Sequence, residues 1–224
     1  MKERPVDGGP IYAETDLSGF IAEPWNALSS LAIVLPAVYW AIKLKGELRT
    51  YAFIYYCIPL LFLGGTGSTL FHAFRAHRGF LMMDWMPTAI LMLSVSIYFW
   101  YKVLKRAWYV PVVIIGTFAL RIGFFAMFPN LRSINANYFF TGTMIFLPVG
   151  IYLVNTGFRN FKDILISVCF LLLALLCREL DHSITDWLPM GSHFLWHVFS
   201  GIGAFYLANY LFKLRVSENH LTSQ

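Results

Sequence analysis

The sequence predicts an all-α membrane protein in which seven transmembrane helices form a bundle. Hydrophobic residues make up 58% of its 224 residues and charged residues only 13%, about half the charged share of a soluble domain. The apolar residues also fall into long runs, each close to the ~20 residues that a helix needs to cross a bilayer. The connections between the runs are short, so the chain has no room for a second domain. The first residues are polar and contain no apolar run typical of a cleavable signal peptide.

Seven stretches reach the length of a membrane span. They are residues 24–44, 52–74, 81–101, 107–128, 137–156, 162–180 and 193–213. Around them, residues 1–23 form an acidic N-terminal segment, residues 24–213 form the membrane domain and residues 214–224 form a tail. An odd number of spans places the two termini on opposite sides of the membrane.

The distribution of Lys and Arg predicts the orientation, because cytoplasmic loops carry an excess of these residues. The side that holds the C-terminus carries ten, namely Lys43, Lys45, Arg49, Lys102, Lys105, Arg106, Arg159, Lys162, Lys213 and Arg215. The other side carries six, namely Lys2, Arg4, Arg75, Arg78, Arg132 and Arg178. We therefore expect an outside N-terminus and a cytoplasmic C-terminus. The net charge of +5 does not indicate nucleic-acid binding, because the basic residues lie mostly in these short loops.

The three cysteines, Cys57, Cys169 and Cys177, all lie within apolar runs. Their number is odd and their spacing matches no paired-cysteine metal motif. The sequence therefore predicts buried thiols without a disulfide.

Polar residues enter the apolar spans at three places. The second span ends with Ser68 and His72, four residues apart and so on one helix face. The third span opens with Asp84, and the seventh opens with His193 and His197, again four residues apart. Because the second span ends on the side where the third and seventh begin, all five residues lie at one depth on one side of the bundle.

Ionisable residues within a span cost about 2.5–3.5 kcal/mol each on insertion scales, so they normally face the bundle interior and mark a function. Three neutral imidazoles suit zinc and leave a fourth position for water. Such a site lowers the pKa of that water to about 7. Asp84 could serve as the general base, and Ser68 could donate a hydrogen bond to a developing oxyanion. The pattern indicates a metal hydrolase that acts at a membrane interface.

Other interpretations stay open at this point. Alone, a histidine near a span end is more typical of an interfacial residue and Ser68 of a packing residue, while Asp84 could equally be a first-turn carboxylate favoured by the helix dipole. A seven-span receptor or sensor could hold a structural zinc ion, with Asp84 as a fourth protein ligand. A transporter would need polar residues through the whole bilayer depth, which the cytoplasmic half lacks apart from Arg121 and scattered hydroxyls.

The N-terminal segment contains Glu14, Asp16 and Glu23, whose oxygens suit a hard cation such as calcium. The alternative is a solvated acidic tail with Glu23 at the start of a helix. Near the end of the sixth span, Asp181 could orient a histidine ligand or pair with Arg178, and the sequence leaves both roles open.

At these residues the chain resembles the alkaline ceramidase family, in the wider group of seven-span hydrolases that includes the adiponectin receptors. The motifs that carry the resemblance are Ala22-Glu-Pro-Trp-Asn26, Gly67-Ser68 with Phe71-His72, Asp84, Cys177-Arg-Glu-Leu-Asp181 and Gly191-Ser-His-Phe-Leu-Trp-His197. The short N-terminal segment and the His-Phe-Leu-Trp-His form resemble the bacterial branch. That likeness implies a multi-pass protein of a bacterial inner membrane.

The resemblance implies zinc ligands at His72, His193 and His197, a catalytic aspartate at Asp84 and a serine at Ser68. Eukaryotic members bind calcium through the acidic N-terminal segment, which implies calcium ligands at Glu14, Asp16 and Glu23. This chain departs from that pattern at Ile11, which stands where an aspartate is expected. The implied activity is hydrolysis of the ceramide amide to a sphingoid base and a fatty acid. Another N-acyl lipid or an ester is an alternative substrate for the same chemistry.

Overall fold

The protein is helical throughout the part of the chain that the computed structural model describes, residues 5–131 and 133–222, with side chains through residue 219. Lys2, Arg4 and Arg132, which belong to the charged residues of the orientation argument, lie outside these ranges. The helices are α1 (Pro24–Ser29), α2 (Leu31–Lys43), α3 (Ala52–Phe74), α4 (Arg78–Leu104), α5 (Tyr109–Met127), α6 (Ile134–Asn155), α7 (Phe161–Leu180) and α8 (His193–Thr222). A short 3₁₀ turn, Pro129–Leu131, separates α5 from α6.

The first predicted span, 24–44, is divided into α1 and α2 at Ser30. The hydroxyl of Ser30 donates to the carbonyl oxygen of Asn26, four residues earlier, at 2.7 Å. The hydroxyl of Ser29 donates to the same carbonyl at 3.1 Å. Serine bonds of this kind compete with the backbone ladder and bend helices, which accounts for the interruption.

Five helical segments of the described residues are long and apolar enough to cross a membrane. They are Pro24–Lys43, Ala52–Phe74, Arg78–Leu104, Tyr109–Met127 and Ile134–Asn155. Helix α7 carries charged residues in its first and last turns, α8 contains His193, His197 and Asn209, and neither is among the five. The seven spans and the outside N-terminus therefore stay predictions.

The described residues form two compact units. One contains the residues up to Ala89 and those from Lys162 onward, and the other is Ile90–Phe161. Within the second unit, the Ser96 hydroxyl donates to the carbonyl oxygen of Met144 at 2.8 Å. This hydrogen bond joins α4 to α6.

In the first unit, α1 and α2 each pack against both α3 and α8. The core of this unit includes the buried side chains of Trp40, Phe71 and Tyr210. Helices α7 and α8 are joined by the buried carboxylate of Asp163, which accepts hydrogen bonds from Asn209 at 2.9 Å and Lys213 at 2.8 Å. This packing sets the end of α3 beside the start of α8.

Candidate metal centre

The end of α3 carries the buried side chains of Ser68 and His72. Beside them, Gly67 approaches the backbone of Met83 in α4 so closely that a β-carbon at position 67 would overlap the Met83 carbonyl. Small residues at such points allow helix backbones to approach. The approach sets the Ser68 hydroxyl beside the Asp84 carboxylate, with which it interacts.

We expect Gly67→Ala to destabilise the protein by about 1–3 kcal/mol, because the added methyl group must push α3 and α4 apart. Turnover should fall as well, because Ser68 and Asp84 would separate. Thermal unfolding in detergent micelles measures the first effect. Gly150→Ala is the matched control, since a β-carbon there meets no described atom within 4 Å. Equal stability of Gly67→Ala and the wild type would contradict the need for close approach.

The start of α8 is fixed by the carboxylate of Asp181. One carboxylate oxygen accepts the backbone N–H groups of Ser192 and His193, both at 2.9 Å. A carboxylate at this position also interacts favourably with the helix dipole. Gly191 precedes these residues with φ +71°, a conformation that glycine adopts without steric cost. Asp181 therefore orients His193 through its backbone.

The imidazole rings of His72, His193 and His197 converge. The ring centroid of His72 lies 5.3 Å from that of His193 and 4.8 Å from that of His197. The centroids of His193 and His197 are 4.8 Å apart. One candidate ligand nitrogen from each ring lies within 4.8 Å of the other two. All three side chains are at most 2% exposed. The cluster could therefore hold a metal ion such as zinc.

The Nδ1 nitrogens of the His72 and His197 rings have partners outside the cluster. The Nδ1 atom of His72 is paired with the carboxylate of Glu23, and the Nδ1 atom of His197 lies 2.9 Å from the Ser29 hydroxyl. Ligating histidines usually use the second nitrogen in this way, which leaves Nε2 for the metal. The buried Nδ1 atom of His193 has no hydrogen-bond partner among the described residues. A buried ring nitrogen without a hydrogen-bond partner is consistent with a metal site.

Asp84 is half-buried in α4 and lies beside the cluster rather than within it. The group of described His, Cys, Asp and Glu side chains that could share one ion contains the three histidines and does not include Asp84. The hydroxyl oxygens of Ser68 and Ser30 lie 3.0 Å apart. Asp84 and Ser68 together form a polar pair next to the histidine cluster.

The model of the family described as Ceramidase matches residues 14–224, nearly the whole chain. The chain belongs to the Ceramidase family. Membership implies a hydrolase of the ceramide amide bond and a lipid substrate. No curated protein matches the chain.

Two of the three acidic residues expected to bind calcium, Glu14 and Asp16, accept hydrogen bonds from protein donors near the start of α1. Glu14 accepts the backbone N–H groups of Trp25 at 3.0 Å and Asn26 at 2.6 Å, and so caps the start of α1. Burial raises the pKa of the Glu14 carboxyl, and these two N–H groups act in the opposite direction. Asp16 accepts the backbone N–H and the hydroxyl of Ser18.

The third acid, Glu23, is fully buried. One carboxylate oxygen accepts the Thr15 hydroxyl at 2.6 Å and a guanidinium N–H of Arg75, and the other is paired with His72. Burial raises the pKa of the Glu23 carboxyl, while the guanidinium beside it acts in the opposite direction. Among the described residues, the three acids do not form a group that could share one ion, and the calcium prediction gains no support.

Sequence reasoning missed two residues that contact the cluster. The ring of Tyr12 stacks on His193, with centroids 3.9 Å apart and an interplanar angle of 24°. Ser29 contacts His197 but resembles a packing residue in the sequence. For the N-terminal segment, the one sequence signal was the place of Glu23 within the motif Ala22-Glu-Pro-Trp-Asn26.

Arg121, for which the sequence suggested no partner, donates a hydrogen bond from its guanidinium to the side-chain carbonyl of Asn137. The pair joins α5 to α6 within the second unit. A partnered arginine in a span is less costly than a lone one, because its donors are satisfied by protein. Its position thus has a packing explanation within that unit.

Proposed function

We propose that the protein is a zinc-dependent intramembrane amidohydrolase that cleaves ceramide-like lipids to a sphingoid base and a fatty acid. In this proposal His72, His193 and His197 hold the zinc ion, Asp84 transfers the proton and Ser68 stabilises the oxyanion. The observation that carries it is the buried three-histidine cluster, which lies beside an aspartate and a serine in a chain of the Ceramidase family.

The choice of zinc rests on the donors. Zinc takes imidazole nitrogen readily, and catalytic zinc sites commonly have three protein ligands with one open position. A zinc ion supplies Lewis-acid activation of a carbonyl and of a water molecule at neutral pH. The carboxylate partner of His72 is typical of the outer groups that hold a ligating imidazole in place.

The roles of the two neighbours follow from their chemistry. The carboxylate of Asp84 can accept a proton from the attacking water and then donate it to the amine that leaves when the amide C–N bond breaks. The Ser68 hydroxyl can donate a hydrogen bond to the oxygen of the former carbonyl as negative charge develops on it. Ser68 is positioned by contact with Ser30, because the two hydroxyl oxygens lie 3.0 Å apart.

The membrane setting is also part of the proposal. Seven spans with an outside N-terminus and a cytoplasmic C-terminus place the histidine cluster near the outer face of a bacterial inner membrane. Residues 24–213 form the hydrolase domain, and the substrate enters between helices from the lipid phase. The five helices that are long and apolar enough to cross a bilayer support this setting.

The rival function is a receptor or sensor with a closed, structural zinc site. That site needs a fourth protein ligand, for which Asp84 was the sequence candidate. Asp84 does not belong to the group of described side chains that could share one ion. The observation favours an open fourth position and therefore catalysis.

The test is fatty acid release from purified protein supplied with a panel of N-acyl lipids and one lipid ester. We expect ceramide to be cleaved with equal yields of sphingoid base and fatty acid, and a zinc chelator to stop release. Added zinc should restore it. Release that continues in zinc-depleted protein would exclude the proposed chemistry, and a preference for another lipid would change only the substrate.

A further inference from the structure

Arg75 follows α3 directly, three residues beyond His72, and its guanidinium is completely buried. The Nε atom donates to Asp7 at 2.7 Å, and Nη2 donates to the second oxygen of Asp7 at 3.0 Å and to the Pro10 carbonyl at 2.9 Å. The Nη1 atom donates to Glu23. The rigid fork of an arginine suits such simultaneous contacts, which a lysine ammonium cannot reproduce.

The backbone of Arg75 is also unusual. Its φ and ψ angles of 48° and 23° lie in the left-handed region, where the end of a helix commonly has glycine. Residues held in this region persist where the surrounding contacts determine them. Here the guanidinium carbon lies 4.5 Å from the centroid of the Phe71 ring, in the α3 turn before it.

The contacts of Glu23 show what the guanidinium does. One oxygen of the carboxylate receives both Thr15 and Arg75, so only the other oxygen is directed at the Nδ1 atom of His72. The orientation of the carboxylate is therefore determined by its two donors. A continuous series of polar contacts runs from Asp7 through Arg75 and Glu23 to His72.

We propose that Arg75 is a positioning residue for the metal centre and serves as a built-in cation in place of calcium. It joins Asp7 of the N-terminal segment to Glu23, and it holds Glu23 in the orientation that fixes His72. The proposal rests on the proposed function in one respect, since it takes His72 as a zinc ligand.

The reason for a cation at this place is electrostatic. Asp7 and Glu23 are both buried, and a buried carboxylate without a partner is strongly unfavourable. Arg75 supplies the positive charge that both share, and it donates to one of the two oxygens of Glu23. The disagreement with the calcium expectation thus has a structural cause.

The main test compares the zinc affinity of the metal-free full-length protein with that of Arg75→Gln and Asp7→Asn, by competition with a chromophoric chelator. Loss of an outer partner of a ligating histidine typically weakens metal binding 10- to 100-fold. We expect about a tenfold weaker affinity in both variants, and partial recovery in Arg75→Lys. Asp7→Asn tests the same series of contacts from its far end if Arg75→Gln does not fold.

Two controls separate positioning from charge and from stability. Arg78→Gln removes the same charge at an exposed site three residues away and should leave zinc affinity unchanged. Asp163→Asn breaks the ion pair between the buried Asp163 carboxylate and the partly exposed Lys213, and it should lower the melting temperature without changing zinc affinity. This pair is remote, because Asn209, the other partner of Asp163, lies about 24 Å from His193 along the α8 axis. Wild-type zinc affinity in both Arg75→Gln and Asp7→Asn would overturn the proposal.

A second measurement does not depend on zinc. Amide hydrogen exchange of residues 5–16 in the metal-free protein should be slow in the wild type and at least tenfold faster in Asp7→Asn, because Asp7 holds this segment against Arg75. Added calcium should not change the wild-type rate. Slower wild-type exchange in calcium, or saturable calcium binding, would overturn the proposal and restore calcium as the cation. If the wild type binds no zinc but residues 5–16 still exchange faster in Asp7→Asn than in the wild type, the proposed zinc function is wrong. The role of the Asp7–Arg75 contact in holding this segment is then still supported.

Discussion

Replacing His72 by alanine is expected to remove zinc and ceramide hydrolysis together. The wild type should contain about one zinc per chain, and the variant should retain only background metal, because catalytic zinc sites rely on three protein ligands. The side chain is 1% exposed and lies between α3 and α8. Elemental analysis of the purified variant and an assay of fatty acid release measure the two losses in one sample.

The control for this prediction is His77→Ala, which removes an imidazole on the exposed turn after α3. The ring of His77 accepts the backbone N–H of Gly79 at 2.9 Å and lies outside the cluster. We expect wild-type zinc content and wild-type turnover in this variant. Normal ceramide turnover in zinc-free His72→Ala protein would contradict the proposed mechanism.

The convergence of the three imidazoles illustrates what a sequence can predict. Apolar runs of known length set which helix ends share a membrane face, and spacing of four residues sets which side chains share a helix face. These two rules were sufficient to expect His72 near His193 and His197. Their orientation toward one point depends on side-chain packing, which the structure provides.

The N-terminal segment illustrates what the sequence could not predict. It has no periodicity, so neither helix rule applies to it, and its contacts join residues far apart in the chain. Glu23 reaches His72, 49 residues later, and Arg75 reaches Asp7, 68 residues earlier. Arg75 was expected at a loop and contributed only to the count of charges. Its burial follows from tertiary contacts that no local pattern indicates.

The break at Ser30 has the same origin. Serines are common within membrane spans, and the sequence carries no proline or glycine at the point of interruption. The bend depends on the acceptor to which each hydroxyl donates, and here the hydroxyls of Ser29 and Ser30 both donate to the Asn26 carbonyl oxygen. The bend has a consequence for the site, because Ser29 then lies against His197 and Ser30 against Ser68.

Replacing Asp84 by asparagine should separate catalysis from metal binding. The amide has nearly the same size as the carboxylate and can still accept a hydrogen bond from Ser68, so we expect zinc content and thermal stability to stay near the wild-type values. Turnover should fall by about 10²- to 10⁴-fold, the usual contribution of a general acid–base group, because an amide cannot take up the proton. The measurements are kcat for ceramide and zinc per chain.

The two possible failures of Asp84→Asn have different meanings. Loss of zinc would make the carboxylate a ligand and would favour the closed, structural site of a receptor. Retained turnover with zinc in place would remove Asp84 from proton transfer and leave that task to another group. Asp186→Asn, an exposed carboxylate in the loop before α8, controls for the loss of one charge on this side of the protein. A selective fall in kcat with full zinc occupancy would support a hydrolase whose base acts beside the metal rather than on it.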